Sequence, residues 1–349
     1  LRHLHLFIAK AAMPLDRHAR RFLEMLAAAG RSRGRYGDVE DRRRALTSLA
    51  ELVDPPGTTP IGGVRDHLLK VSDGHITLRT YSPLETPQRL LPGMVFFHGG
   101  GWVAGNLETH DGFCRRLANE TGCRVIAVDY RLAPEHPFPF ALSDACTALS
   151  HVFAHAREFG VDARRLGVAG DSAGGTLAAV VCRIARDAMR QGRPAPAIAF
   201  QLLVCPILDV HGEAASRREL CEGYFLDGET LSRDLELYVP PGHDLADPRL
   251  SPLCAEEFED LPPAYIHTGQ FDPFGDEGEA YAQRLGGFGV PVHGRTHPGM
   301  IHYFYCMPRM IPYAGEAMRI IGAEIRYAVQ LPVPERRAQR RIRPVLIRA

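Results

Sequence analysis

From about residue 60 onward, short apolar runs alternate with amphipathic stretches, and this alternation leaves few folds open. The apolar runs fall at 67–71, 76–82, 94–97, 124–130, 166–169, 199–205, 264–268 and 292–295. Segments of helical period lie among them, at 109–121, 140–158, 174–190, 276–286 and 312–328. A strand that is apolar along its whole length is covered on both faces, and crossover helices provide that cover. The spacing therefore predicts an α/β fold of eight strands in a mostly parallel sheet flanked by helices. Ser72-Asp73-Gly74 reads as a hairpin turn joining the first two strands.

Two features interrupt the pattern. Before it, residues 15–29 and 39–53 read as amphipathic helices, with Ala19, Phe22, Leu23 and Leu26 on the first face and Ala45, Leu46, Leu49 and Val53 on the second. Pro55-Pro56-Gly57 then ends the segment. Within it, residues 211–254 hold polar helical turns and no strand, as an insertion above the strand ends would. The expected division is 1–55 as N-terminal helices, 56–210 with 255–331 as the core, 211–254 as the insertion and 332–349 as a solvated, arginine-rich tail.

The 41 basic residues balance the 41 acidic ones, which gives no support to a polyanion-binding role, so no nucleic-acid partner is expected. No apolar stretch is long enough for a membrane helix or a secretory core, so neither a membrane partner nor export is expected. The eight cysteines form no CxxC pair, and several lie in apolar runs, such as Leu202-Leu203-Val204-Cys205. They read as reduced, small hydrophobic residues of a cytoplasmic protein rather than metal ligands.

Gly170-Asp171-Ser172-Ala173-Gly174 follows one strand and opens a helix. Strand, sharp turn and helix is the context of a nucleophile elbow, in which glycines let backbones approach and the serine is pushed out at the top of the sheet. A G-x-S-x-G string alone would occur by chance in about one such chain in ten. His98-Gly99-Gly100-Gly101-Trp102, after the strand at 94–97, adds weight. Consecutive glycines can turn several N–H groups into one small volume, which is what an oxyanion needs. A phosphate loop would want a Gly-Lys-Ser/Thr string, and no lysine is near. A serine needs a base, and the base an orienting acid. Asp272 follows a late strand and His302 the last, so the chain order Ser172, Asp272, His302 fits. Asp276 or Glu277 as the acid and His297 as the base are the alternatives. His98 reads as ordering the glycine loop, and the i, i+4 pair His151 and His155 as exposed residues without a matching third metal ligand.

With these motifs in view, the sequence resembles the hormone-sensitive lipase family of α/β-hydrolases, the bacterial family IV carboxylesterases. The resemblance rests on His98-Gly99-Gly100-Gly101-Trp102, Tyr130-Arg131-Leu132-Ala133-Pro134-Glu135 with Phe138-Pro139, Gly170-Asp171-Ser172-Ala173-Gly174-Gly175, Asp247-Pro248-Arg249-Leu250-Ser251-Pro252-Leu253, Asp272-Pro273 with Asp276-Glu277-Gly278, and Gly299-Met300-Ile301-His302. It implies an α/β-hydrolase fold with a helical cap built from 1–55 and 211–254. Ser172, Asp272 and His302 fall on the catalytic triad, and the N–H groups of Gly100, Gly101 and Ala173 on the oxyanion hole. His98, Gly99, Trp102 and Asp171 fall on positions that support the site. The resemblance implies hydrolysis of short acyl esters with no cofactor or metal. It also implies a small-molecule ester as partner and allows a homodimer through an edge strand near 292–295. An amidase or acyltransferase with the same triad, or a non-catalytic ligand-binding homologue, are the rivals. Three positions depart from the family: Phe274 where leucine is common, Gly275 where arginine is common, and Tyr303 where glycine is frequent.

Overall fold

The strands at the centre of the sheet are apolar and buried because both faces of the sheet are covered. The computed structural model describes residues 4–5, 13–28, 38–84, 90–212 and 214–331. The expected arginine-rich tail at 332–349 lies outside the described residues, as do parts of the N-terminal segment. In chain order the strands are β1 (Leu4–His5), β2 (Gly63–Val71), β3 (Gly74–Ser82), β4 (Leu91–Phe97), β5 (Arg124–Asp129), β6 (Val161–Asp171), β7 (Gln201–Val204), β8 (Ala264–Phe271) and β9 (Val292–Ile301). The helices are α1 (Arg17–Ala28), α2 (Val39–Val53), α3 (Asp111–Thr121), α4 (Phe140–Ala154), α5 (Ala173–Arg190), α6 (Ala215–Leu220), α7 (Gly228–Tyr238), α8 (Gly275–Gly287) and α9 (Tyr313–Ala328).

The sheet order is β1-β9-β8-β7-β6-β4-β5-β3-β2. Among the described residues only β2 with β3, and β3 with β5, pair antiparallel. Helices α4, α5 and α8 pack on one face around Val95, Val168 and Ile266, and α3 and α9 on the other around Phe96, Leu202 and Tyr265. β4 is buried at every position, as a strand covered on both sides must be.

The eight expected strands are β2–β9. The additional strand, β1, pairs parallel with β9 at Val292 and His293. That corrects the expectation of a sheet edge near 292–295, because β1 occupies the outer side of β9 there. A two-residue strand carries no periodicity to read. Observed strands also outrun their apolar runs. β9 continues past Pro298, which has no N–H to donate, because the β8–β9 register shifts between Gly269 and Phe271.

Candidate active site

The turn between β6 and α5 places one serine in a conformation most residues avoid. Ser172 has φ 51° and ψ −121°. Its N–H donates to Val204 O (2.9 Å), and its carbonyl accepts from the N–H groups of Gly175 (3.0 Å) and Ile207 (3.2 Å). The flanking glycines are required by space. A Cβ at 170 would lie 2.1 Å from Gly174 O, and one at 174 would lie 2.0 Å from Phe97 O. Ala173 begins α5, where an N–H has no partner within the helix.

The glycine loop follows β4 and is tied to the elbow by Asp171. Asp171 Oδ1 accepts from the Gly99 N–H (2.9 Å), and Oδ2 accepts from the Tyr305 hydroxyl (2.9 Å) with His110 Nε2 at 3.3 Å. Burial pushes this carboxyl up, but His110 and the hydroxyl of Tyr305 outweigh it and leave it below its ordinary range. His98 is buried, stacks on Tyr130 (4.3 Å), and its Nδ1 lies 2.8 Å from Gly99 O. Burial first, then His110, lowers His98 to about 3, so it stays neutral. Trp102 stacks on Tyr238 of α7 (4.5 Å). The Gly100 carbonyl accepts from the N–H groups of Val103 (3.3 Å) and Ala104 (2.9 Å).

Asp272 directly follows β8 and His302 directly follows β9, so both stand at the same carboxyl rim as Ser172. His302 Nδ1 lies 2.9 Å from Asp272 Oδ2, with both side chains buried. With a carboxylate as acceptor, Nδ1 carries the proton and Nε2 keeps its lone pair. Asp272 Oδ1 accepts the Phe274 N–H (2.8 Å).

The alternative acids are engaged elsewhere. Asp276 accepts the Ser216 N–H (2.8 Å), and Glu277 is paired with Arg217 of α6 (2.6 Å) and takes the N–H groups of Leu208 and Asp209. Burial raises the Glu277 carboxyl against those contacts. His297 is buried between His267 (3.1 Å) and Tyr313 (3.2 Å), on the stretch of β9 before the rim. His155 Nδ1 lies 2.9 Å from the carbonyl of His151.

Several contributors were not visible in the sequence. Cys205 directly follows β7 at φ 46°, fully buried, with its sulfur, an Asp272 oxygen and a His302 nitrogen within 4.8 Å of one another. Among the described residues this is the one group of three side chains that could hold a metal ion, and two of its members already bond to each other. Tyr305, His110 and Arg217 were equally hidden, because each meets its partner across 60 or more positions of chain.

The departures from the family have local explanations. Phe274 packs edge-on against His302 (5.2 Å), with the Arg217 guanidinium over its ring (4.9 Å). A Cβ at Gly275 would meet only Gly269 O, at 3.7 Å. Tyr303 has φ 65°, the region where glycine is at ease, and stacks on Phe225 (5.8 Å).

A family model described as the alpha/beta hydrolase fold matches residues 94–306. An arylesterase of Saccharolobus solfataricus is 36% identical over 299 residues, which is 85% of this chain and 94% of the relative. An ethyl acetate hydrolase of Pseudomonas putida is 33% identical over 303 residues, again 85% of this chain and 94% of the relative. An ester hydrolase from the metagenome of Lake Arreo, solved with a derivative of bipyridine phosphonate, superposes with a TM-score of 0.82 at 42% identity, covering 89% of this chain and 98% of that one.

Proposed function

Because the chain belongs to the α/β-hydrolase family, in its hormone-sensitive lipase branch of ester hydrolases, we propose that it cleaves short-chain acyl esters through Ser172, His302 and Asp272. One observation carries this reading: the strained Ser172 at the rim it shares with the 2.9 Å His302–Asp272 pair. In the proposed reaction Ser172 Oγ attacks the ester carbonyl carbon while His302 Nε2 takes its proton. Asp272 holds the imidazole in the tautomer this needs and stabilises the imidazolium. The carbonyl oxygen becomes an oxyanion facing the N–H groups of Gly100, Gly101 and Ala173, each donor worth about 3–4 kcal/mol in the transition state.

The bond to the alcohol oxygen then breaks, and the alcohol leaves with the proton from His302. Water attacks the acyl-enzyme, gives its proton to His302, and the acid departs as Ser172 Oγ recovers a proton. The same reading makes α1, α2, α6 and α7 a cap over the rim. Ser172→Ala should lower the turnover of p-nitrophenyl acetate by at least ~10⁴-fold at unchanged melting temperature. Retained turnover would refute the assignment. Matched ester and amide substrates separate an esterase from an amidase, and the ester should be the faster.

A further inference from the structure

The glycine loop is gripped by two helices, α2 and α7, and a buried carboxylate lies at the centre of the grip. Arg43 of α2 donates its Nε–H to Val103 O (3.0 Å) and a terminal N–H to Ala133 O (3.0 Å), and it pairs with Glu135 (2.6 Å). Its neighbour Arg42 donates to Asp234 Oδ2 of α7 (3.1 Å). Asp234 is 4% exposed, and its carboxylate is pressed against Gly101, where a Cβ would come within 2.1 Å of Oδ2. On the same helix, Tyr238 carries the stacked Trp102. A cavity of only about 10 Å³ remains between Val39, Arg42, Val103, Thr230 and Asp234, about the space of one water.

Burying this carboxylate is costly. Desolvation pushes Asp234 up to about 6, with Arg42 acting against the rise. Its surroundings include Arg42 from α2, Asp227 and Arg233 from its own helix and that helix's cap, and the uncharged Gly101 from the loop. An amide or a leucine at 234 would carry no such cost.

We propose that Asp234, paired with Arg42, is a positioning residue that fixes the Gly100-Gly101 peptide with its N–H groups aimed at the developing oxyanion. The inference rests on the ester-hydrolase reading above. Preorganised donors help only if they need not reorient during the reaction. Gly100 at φ 120° and Gly101 at φ 66° have no side chains to hold them, and the carboxylate occupies the space a side chain at 101 would take. Arg42 neutralises the charge, so the carboxylate does not oppose the oxyanion. Protonation of Asp234 weakens its hold on Arg42, so the loop loses its fixed aim as the medium becomes acidic.

The test compares Asp234→Asn, Asp234→Leu and Arg42→Met with the unmodified chain on p-nitrophenyl acetate. Rates are expressed per active site titrated with a fluorophosphonate. Asp234→Leu should lower kcat by about 30-fold, less than the ~10²–10³ of losing an oxyanion donor outright, with KM within about twofold. Asp234→Asn keeps an acceptor but not the charge, and should lower kcat by about three- to tenfold. Arg42→Met added to Asp234→Leu should cost nothing more. On going from neutral to acid pH, kcat should fall about three- to tenfold further in the unmodified chain than in Asp234→Asn, so its acid limb has the steeper slope. Unchanged kcat per titrated site in all variants, or an acid limb identical in Asp234→Asn, would overturn the proposal whatever the melting temperatures show. If Asp234→Leu does not fold, the slope in Asp234→Asn decides alone. If Ser172→Ala is inert while the 234 variants are normal, only this inference fails. If Ser172→Ala is active, the underlying reading fails.

Discussion

At the residue scale, the site depends on what space and charge permit at a few positions. Gly174 is the sharpest case, because an added methyl would meet the Phe97 carbonyl at 2.0 Å, and both atoms belong to backbones that the sheet and α5 hold in place. Gly174→Ala should therefore destabilise the fold by more than ~4 kcal/mol, read by urea unfolding, whereas an ordinary glycine-to-alanine change in a helix stabilises by up to ~1 kcal/mol. A cost below ~1 kcal/mol would mean the elbow is looser than described. The elbow and glycine loop could be read directly from the chain, because Gly170, Gly174, Gly100 and Gly101 are local consequences of close approach. Asp171, by contrast, fell on a supporting position only through the family resemblance, and its partners could not be read from the chain. Its roles as acceptor for Gly99 and partner of Tyr305 depend on strands and loops far apart in sequence.

At the element scale, α6 is stapled to the loop that carries Asp272. Ser216 Oγ donates to Pro273 O (2.8 Å), and Arg217 pairs with Glu277 inside the protein while covering Phe274. Arg217→Leu leaves the Glu277 charge buried without its cation, so it should cost about 3–5 kcal/mol in unfolding free energy and lower kcat through the Phe274–His302 contact. A change under ~1 kcal/mol would show that the pair is not buried as drawn. The helices were the most legible elements: α2 spans the expected 39–53, because Leu46, Leu49 and Val53 recur at helical spacing. Strand ends were harder to read. β6 starts at Val161, ahead of its apolar run, because Arg164 and Arg165 lie within the strand and pair with Asp162. β1 gave no signal, since pairing with β9 rather than its own pattern makes it a strand.

At the scale of the whole molecule, buried imidazoles set the response to acid. Burial first, then His110, holds His98 at about 3, and burial, then His267 and Arg295, holds His297 well below its ordinary value. Both histidines are depressed in the folded state, so their stability contribution is complete above the unfolded value of about 6.5 and is lost as pH falls below it, at up to ~1.4 kcal/mol per pH unit each. Asp234, raised to about 6, works the other way, because the folded chain takes up that proton more readily than the unfolded one. The two buried histidines outweigh this one carboxyl, so the stability these three groups contribute should fall between pH 7.5 and 5.5, measured by urea unfolding. A flat or rising profile would contradict it. The sheet assembles Ser172, Asp272 and His302 from three separate strand ends, so the proposed chemistry requires the complete fold. The most direct test of that chemistry is to label the intact protein with a fluorophosphonate and locate the adduct by peptide mass spectrometry. One adduct per chain is expected, on Ser172, formed in step with the loss of ester turnover. An adduct on another residue, or full turnover after Ser172 is labelled, would contradict it.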